Sequence, residues 1–526
     1  MRKWILPVAS GFLLILAYPP FNLELFIWLG FAPLFLFIFS KDRLTKEKFW
    51  AGFIAGSLYF LIVMKWFWSV YPLAWAGLES RFWGFLLIFS VWAISGLGMG
   101  LWWGVNTAFL SKFSGRRFFI LIPSVFVISE YLRSWFFGLL WAGSGTLWGP
   151  HWTMGNPAYA LHNNPLFLKL SSFAGIYGII FLVVLINALI FELINSHKKA
   201  NLIAAISIIV LLTLVPKLSD KIFLSNSLNL EKIAVAVIQT KETSDANHSP
   251  EKKLEDFKLK LGLFRESTKL NPQPKAVIFP EGSDFFKNLS LFLDTEETRN
   301  FFGNSFSEPT LIIDNSKITD EAGRLKSRVI YLDSKKGALG FYDKRFLTPG
   351  GEFLPYHLKS LIDLFSKDAA TKFAALREFS GGAKPTTVIE SESFKAGALA
   401  CSGIISPSLF RELSKQNPDF LIILASTGLF KGTDDLISQD LAAAKFRAAE
   451  NDKYLILAAN YGLSYVVSNA GKIEKIASDK EPGLFTTQVV PRKNRTWYNK
   501  IGDTPILIIV FSIILINGTA TKRRNF

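Results

Sequence analysis

Hydrophobic and polar residues alternate in long blocks along this chain. Eight apolar runs are separated by polar or charged segments, seven of them before residue 217 and one near the C-terminus. Several approach the ~20 residues that a helix needs to cross a bilayer, so the pattern predicts eight membrane helices. The runs cover approximately residues 4–16, 24–40, 49–64, 84–110, 118–134, 166–194, 201–215 and 505–516.

Lysine and arginine are concentrated in alternate connections between these runs. Basic residues cluster at the N-terminus, around 41–48, around 112–117, at 198–199 and at 522–524, whereas the other short connections carry few. Because cytoplasmic loops are enriched in basic residues, the asymmetry predicts that both termini are cytoplasmic. The long polar block 217–503 is then extracytoplasmic. We therefore predict a seven-helix bundle (1–216), an external domain (217–503) and a final helix with a basic tail (504–526).

The block 217–503 shows the pattern of a domain with its own core. Short β-type runs alternate with longer segments of helical spacing, which indicates an α/β layered fold. The predicted helices cover 250–270 and 437–451. The predicted strands cover 232–239, 276–279, 310–313, 328–332, 338–341, 395–400, 420–424, 454–459 and 465–467.

Composition agrees with a membrane protein that carries a soluble part. Half of the residues are hydrophobic, 15% are aromatic, and the formal net charge is +16. A basic chain suits nucleic acid, an anionic membrane surface or membrane topology signals. The apolar runs favour the last two, and no nucleic-acid-binding motif is present. Cys401 is the only cysteine, which excludes an intrachain disulfide and any metal site built from several cysteines.

Three reactive residue types occur at predicted strand ends within the α/β block. Glu281 follows the run 277–279, Lys344 follows the strand 338–341, and Cys401 follows the strand 395–400. Ligands of such folds bind beyond the carboxyl ends of strands, so the three side chains are predicted to share one site. Taken singly, each has an ordinary explanation as a loop acid, a solvated lysine or a core cysteine.

Together these residues can perform nucleophilic chemistry at a carbonyl. A cysteine attacks as the thiolate, so it needs a base or a nearby cation. Glu281 can accept the thiol proton if burial raises its pKa, and Lys344 can stabilise the oxyanion. The backbone N–H of Ser402 is a second candidate oxyanion donor. This chemistry needs no histidine, metal or cofactor, and the sequence predicts none.

The motifs around these residues resemble the Glu-Lys-Cys triad of the nitrilase superfamily. They are Pro280-Glu281, the run 342–345 with 351–355, and the strand that ends at Cys401. With the eight predicted helices, essentially the whole chain resembles the apolipoprotein N-acyltransferase family of bacterial membrane enzymes. The resemblance implies a polytopic helical membrane bundle carrying a nitrilase-like αββα sandwich.

The resemblance also implies a reaction. Cys401 would take an acyl chain from a membrane phospholipid as a thioester and release lysophospholipid. The α-amino group of the diacylglyceryl-cysteine of an apolipoprotein would then accept the chain. Glu281 would be the general base and acid, Lys344 would stabilise the oxyanion, and Glu352 would be a supporting carboxylate. The implied location is the bacterial inner membrane, with the catalytic domain on its outer side.

The chain departs from the family pattern at the nucleophile. The family has Cys-Tyr-Glu, whereas this chain has Cys401-Ser402-Gly403. Its Pro-Phe-Gly-Glu motif is replaced by the run 349–352, where Gly350 removes a bulky residue. Glu352 and Glu412 are the candidates to replace the missing glutamate. Two alternatives follow: the same thioester chemistry with another amine or with water, and a lipid-binding pseudoenzyme.

Two further segments are predicted to be structural. Gly96, Gly100 and Gly104 recur every four residues in one apolar run, which indicates close helix packing. The segment 356–365 is amphipathic and lies between Lys344 and Cys401. It is either an ordinary packed helix or a lid that dips into the membrane.

Overall fold

The computed structural model contains a helical part and an α/β part that pack against each other. It describes residues 2–76, 78–113, 118–144, 146, 151–196, 231–243, 249–365, 371 and 377–522. The predicted apolar run 201–215 lies outside these residues. The helices of the first part are α1 to α6, at Ile5–Ala17, Ala32–Ile38, Thr45–Val63, Arg81–Leu110, Phe118–Leu140 and Pro165–Ser196.

Three helices in the described part of the chain are long and apolar enough to cross a membrane: Arg81–Leu110, Phe119–Leu140 and Pro165–Asn195. The predicted run 24–40 is not one helix. It forms a short 3-10 helix over Glu24–Trp28 and then α2. Between them, a side chain at Gly30 would collide with Leu14 of α1, so the chain turns where it meets that helix closely.

Helices α3 and α4 pack closely through Gly100, one of the predicted glycines of α4, and through Gly52 of α3. A Cβ atom at Gly100 would collide with Ser57, and one at Gly52 would collide with Thr107. Such contacts allow no side chain, so the two backbones touch directly. The prediction of close helix packing is confirmed, and glycine is required on both helices.

The α/β part consists of two six-stranded mixed sheets. One has the order β12-β1-β2-β3-β4-β5, and the other has β11-β10-β9-β8-β7-β6. Strands β1 to β6 are Ile233–Gln239, Ala276–Ile278, Leu311–Thr319, Leu325–Asp333, Gly337–Asp343 and Val388–Glu390. Strands β7 to β12 are Lys395–Ala400, Phe420–Ser426, Tyr454–Asn460, Tyr465–Val467, Ile473–Ile476 and Gly483–Val489.

The two sheets face each other across a shared apolar core. Val237, Ile278 and Ile313 of the first sheet belong to the same buried cluster as Leu399 and Ile422 of the second. The remaining helices, α7 to α14, cover Pro250–Thr268, Phe285–Leu289, Thr295–Ser305, Tyr356–Phe365, Pro407–Lys415, Asp434–Asn451, Trp497–Ile501 and Thr504–Lys522.

The outer helices complete a four-layer α/β sandwich. Phe264 of α7 packs on Phe279 and Phe285 outside the first sheet. Helix α12 lies outside the second sheet, and its other side contacts the membrane-type helix α6. The predicted layered fold is therefore present, and α12 joins it to the helical part.

Candidate active site

Glu281 is placed by the loop that follows β2. The strand ends at Ile278, and the chain then reverses through Gly282, whose φ of +72° is accessible to glycine. The Gly282 N–H donates to Asn315 Oδ1 at 2.8 Å. The Glu281 side chain is 11% exposed. The loop therefore turns a carboxylate inward at the edge of the first sheet.

Lys344 is the first residue after β5 and lies almost completely buried between two carboxylates. Its Nζ is 2.8 Å from Glu281 Oε1 and 2.7 Å from Glu352 Oε2, and only 2% of its side chain is exposed. Glu352 is fixed in turn because its Oε2 accepts from the Thr348 N–H at 2.7 Å. Glu281, Lys344 and Glu352 therefore form one contiguous charged cluster.

Cys401 opens a 3-10 turn at the end of β7. Its φ of +36° is a left-handed conformation that non-glycine residues rarely adopt, and such strain is concentrated at functional sites. Its Sγ lies 3.7 Å from the Ser426 carbonyl oxygen, and its thiol is close enough to Glu281 and Lys344 for their charges to act on it. The structure therefore brings Glu281, Lys344 and Cys401 together from the ends of three strands in two sheets.

The charges of the cluster follow from burial and from mutual contact. Burial raises the pKa of Glu281, while Lys344 opposes and Glu352 reinforces that rise. Burial disfavours the Lys344 ammonium, but Glu281 and Glu352 more than offset this and raise the pKa of Lys344. Burial and Glu281 together raise the pKa of the Cys401 thiol, against the effect of Lys344. The resting cysteine is thus a neutral thiol beside a base.

The two other residues expected near the site occupy different positions. Ser402 lies beside the cysteine and its Oγ donates to the Phe346 carbonyl at 2.5 Å, which ties the cysteine turn to the chain after Lys344. Glu412 instead pairs with Arg345 at 2.7 Å. Of the two candidates to replace the missing glutamate, Glu352 contacts Lys344, whereas the contacts of Glu412 are with Arg345 and Thr386.

A cavity of about 210 Å³ adjoins Cys401 and lies between the two parts of the molecule. Cys401 and Ser402 form part of its wall, and most of the remainder is apolar. Asp440 of α12 also lines it, and burial raises the pKa of Asp440 to about 7. The aromatic residues contributed by the helical part are Tyr18, Trp66, Phe67, Trp75, Phe137, Trp141, Trp152 and Tyr159.

The predicted amphipathic segment is a helix, α10, over Tyr356–Phe365. Leu358 and Ile362 line the cavity, and the Tyr356 N–H donates to the Ala142 carbonyl at 3.0 Å. The helix therefore packs against the end of α5 and covers part of the cavity. Its movement as a lid stays a prediction.

The residues that support the site from neighbouring strands were not predicted from the sequence. Asn315 accepts from the Gly282 N–H, beside Glu281, and donates to Ser327 Oγ. Asn460 of β9 donates to Ser426 Oγ at 3.0 Å. The signal available was the polar run Asp314-Asn315-Ser316 inside an apolar strand. Polar residues buried in a strand require partners, and here those partners surround the candidate site.

Comparison with known proteins gives two family models and a set of full-length relatives. The model described as the apolipoprotein N-acyltransferase N-terminal domain matches residues 10–189, and the carbon-nitrogen hydrolase model matches residues 277–499. An apolipoprotein N-acyltransferase of Geobacter metallireducens is 23% identical over 100% of this chain and 96% of its own length. The Pasteurella multocida enzyme of the same name is 22% identical over 99% and 96%.

Similar solved structures belong to the nitrilase superfamily. A member of its branch 10 from Saccharomyces cerevisiae covers 51% of this chain and 93% of its own, with 19% identity and a TM-score of 0.38. An amidase from Nesterenkonia covers 52% and 92%, with 14% identity and a TM-score of 0.36.

Proposed function

The chain belongs to the apolipoprotein N-acyltransferase family, and from that premise we propose that it moves a fatty acyl chain from a phospholipid to a lipoprotein amine through Cys401. The acceptor is the α-amino group of an N-terminal diacylglyceryl-cysteine. The observation that carries the proposal is the position of Cys401, which faces a Lys344-centred charged cluster and also an apolar cavity beside membrane-type helices.

In the first half-reaction, Glu281 removes the thiol proton as Cys401 Sγ attacks the ester carbonyl of the phospholipid. A preformed thiolate is unnecessary, because a neighbouring base can take the proton as the sulfur attacks. The Lys344 ammonium and the Ser402 N–H stabilise the tetrahedral oxyanion. Its collapse breaks the ester C–O bond, and the leaving alkoxide takes the proton from Glu281 and departs as lysophospholipid.

In the second half-reaction, the acceptor amine attacks the thioester carbonyl. Glu281 takes a proton from the attacking nitrogen, and the same donors stabilise the second oxyanion. The C–S bond then breaks, an amide forms, and Cys401 regains a proton from Glu281. Glu352 keeps Lys344 charged and oriented throughout, since it holds the ammonium at 2.7 Å.

The setting that we propose is a bacterial inner membrane. Eight helices span it, both termini are cytoplasmic, and the domain 217–503 stands on the outer side. The bias of lysine and arginine toward alternate connections supports this topology. Both substrates are lipid-anchored, so a cavity at the junction of the two parts would receive their acyl chains from the bilayer.

The apolar cavity favours this function over an amidase. A small hydrophilic amide would gain little from walls built of tryptophan, phenylalanine and leucine, whereas an acyl chain that leaves the bilayer stays in an apolar environment there and out of water. The test is incubation of the detergent-solubilised protein with phospholipid and a diacylglyceryl lipopeptide. A triacylated lipopeptide with equimolar lysophospholipid supports the proposal. Free fatty acid alone would identify a hydrolase instead.

Replacing Glu352 by glutamine tests the role of the second carboxylate. We expect transfer to fall by ~10-fold to 100-fold, because Lys344 loses a charge-assisted hydrogen bond. The Glu352 carboxylate raises the pKa of Glu281, so its removal lowers that pKa. The acidic limb of the pH–rate profile should therefore move to lower pH. An unchanged limb would contradict the coupling between the two carboxylates.

Filling the cavity tests where the acyl chain binds. Val91 of α4 lines the cavity, whereas Val105 of the same helix is 57% exposed on the outside. We expect Val91→Trp to lower transfer from long-chain donors by ~10-fold or more while short-chain donors are spared. Val105→Trp, the matched control, should keep the wild-type chain-length profile. Equal effects of the two substitutions would mean that the acyl chain of the donor binds outside this cavity.

A further inference from the structure

Strand β3 extends well past the strand that carries Glu281. β2 pairs with β3 only from Leu311 to Ile313, although β3 continues to Thr319. The loop after β2 folds over the free part of β3. The Asp284 N–H donates to the Asn315 carbonyl at 3.1 Å, so the loop is fastened to the β3 backbone just beyond Glu281.

The Asn315 side chain adds a second fastening in the same place. Only 1% of Asn315 is exposed. Its Oδ1 accepts from the Gly282 N–H at 2.8 Å, and its Nδ2 donates to Ser327 Oγ at 3.1 Å. In the β3–β4 register Asn315 lies opposite Val329, so Ser327 is its diagonal neighbour on the same face.

Ser327 continues this connection to Lys344. Its carbonyl accepts from the Lys344 N–H at 2.8 Å. A buried path of hydrogen bonds therefore runs from Gly282 through Asn315 and Ser327 to Lys344. It joins the backbone beside Glu281 to the backbone of Lys344, and the side chains of these two residues meet at 2.8 Å.

We propose that Asn315 is a positioning residue that sets the distance between Glu281 and Lys344, and hence the efficiency of the proton transfer and of oxyanion stabilisation. The inference rests on the proposed function. An amide is suited to this place because it accepts from Gly282 and donates to Ser327 at once, with no added charge. The neighbouring Asp314 binds the far end of the loop, where it accepts from the Ser283 hydroxyl and the Phe286 N–H. The connection to Lys344 therefore runs through Asn315.

The chain offers a matched control at the other end of the same strand pair. Ser334 Oγ accepts from the Thr310 N–H at 3.0 Å, and both residues are buried. Ser334→Ala therefore removes a buried hydrogen bond next to β3 and β4 without touching the path to Lys344. The melting temperature of Ser334→Ala therefore shows how much stability the loss of one buried hydrogen bond costs.

The experiment measures single-turnover acylation of Cys401 by phospholipid, together with the melting temperature. We expect Asn315→Ala to slow acylation by ~100-fold, the cost of a misplaced reacting group. Ser334→Ala should lose comparable stability and acylate at the wild-type rate. If both variants slow in proportion to their loss of stability, or if Asn315→Ala acylates normally, the positioning role is wrong.

A second readout does not depend on any substrate. Cys401 is the only cysteine in the chain, so the rate of iodoacetamide alkylation against pH reports its thiol alone. Glu281, Lys344 and Glu352 are the charged groups that act on this thiol. We expect Asn315→Asp to move the midpoint to higher pH, since an added carboxylate disfavours the thiolate, and Ser334→Ala to leave it unchanged. An unmoved midpoint in Asn315→Asp would overturn the inference. A moved midpoint in Asn315→Asp, together with a wild-type protein that is inert to phospholipid, would overturn only the proposed function.

Discussion

Replacement of Cys401 by alanine is expected to reduce acyl transfer by at least ~10⁴-fold, since the loss of a catalytic nucleophile leaves only binding and oxyanion stabilisation. The fold should survive. The cysteine contributes one weak hydrogen bond to Ser426, and the Glu281–Lys344–Glu352 contacts do not depend on it. Transfer from phospholipid to a diacylglyceryl lipopeptide and the melting temperature are the two measurements.

Cys401→Ser provides the comparison that separates size from chemistry. Serine keeps the shape of the turn and a hydroxyl within reach of Glu281, but a hydroxyl is much harder to deprotonate than a thiol. We expect the transfer rate of Cys401→Ser to lie within a few percent of the rate of the alanine variant. Substantial transfer by the alanine variant would mean that Cys401 is a wall of the cavity and that another group attacks the ester.

Replacement of Lys344 by methionine is expected to have the second-largest effect. Transfer should fall by at least ~10³-fold, the upper range for removal of one oxyanion donor, because the variant also leaves two buried carboxylates without a cation. Breaking a buried ion pair from one side costs ~3–5 kcal/mol. Lys326 of β4 is a suitable control. It is 5% exposed and donates to the Gly381 carbonyl at 3.0 Å rather than to Glu281 or Glu352.

The pH dependence of this variant has a definite sign. Without Lys344, burial and the neighbouring Glu352 carboxylate raise the pKa of Glu281 further above its value in the unfolded chain. Raised carboxyl pKa values destabilise the folded state increasingly as pH rises above the unfolded value. The melting temperature should therefore fall more at pH 8 than at pH 5. An equal loss at both pH values, or transfer comparable to that of Lys326→Met, would contradict the assigned role of Lys344.

Local patterns were sufficient to predict most of the strands and the proximity of Glu281, Lys344 and Cys401, whose catalytic roles stay a prediction. Each of Glu281, Lys344 and Cys401 follows an apolar β-type run, and the sheet order brings those strand ends to one place. The edge strands β6, β11 and β12 were not predicted. Their exposed faces carry mixed polar residues, and they are fixed by pairing with β7, β10 and β1 rather than by their own periodicity.

The cavity and the supporting residues could not be predicted in the same way. Trp66 and Trp152 lie far from Cys401 in sequence, and only the packing of the helical part on the α/β part makes them neighbours in one wall. Asn315 gave a weak signal as a polar residue in an apolar strand, but its partners Gly282 and Ser327 depend on strand register. A one-residue change of register would have turned it to the opposite face.

The central claim is that Cys401 carries the acyl chain between donor and acceptor. Intact-mass spectrometry of the protein after incubation with phospholipid tests it most directly, with Cys401→Ala as the control. The predicted result is one fatty-acyl increment on the wild type alone, removed both by hydroxylamine and by a diacylglyceryl lipopeptide. An increment that also appears on Cys401→Ala, or a folded wild-type protein that forms triacylated lipopeptide without any increment, would contradict it.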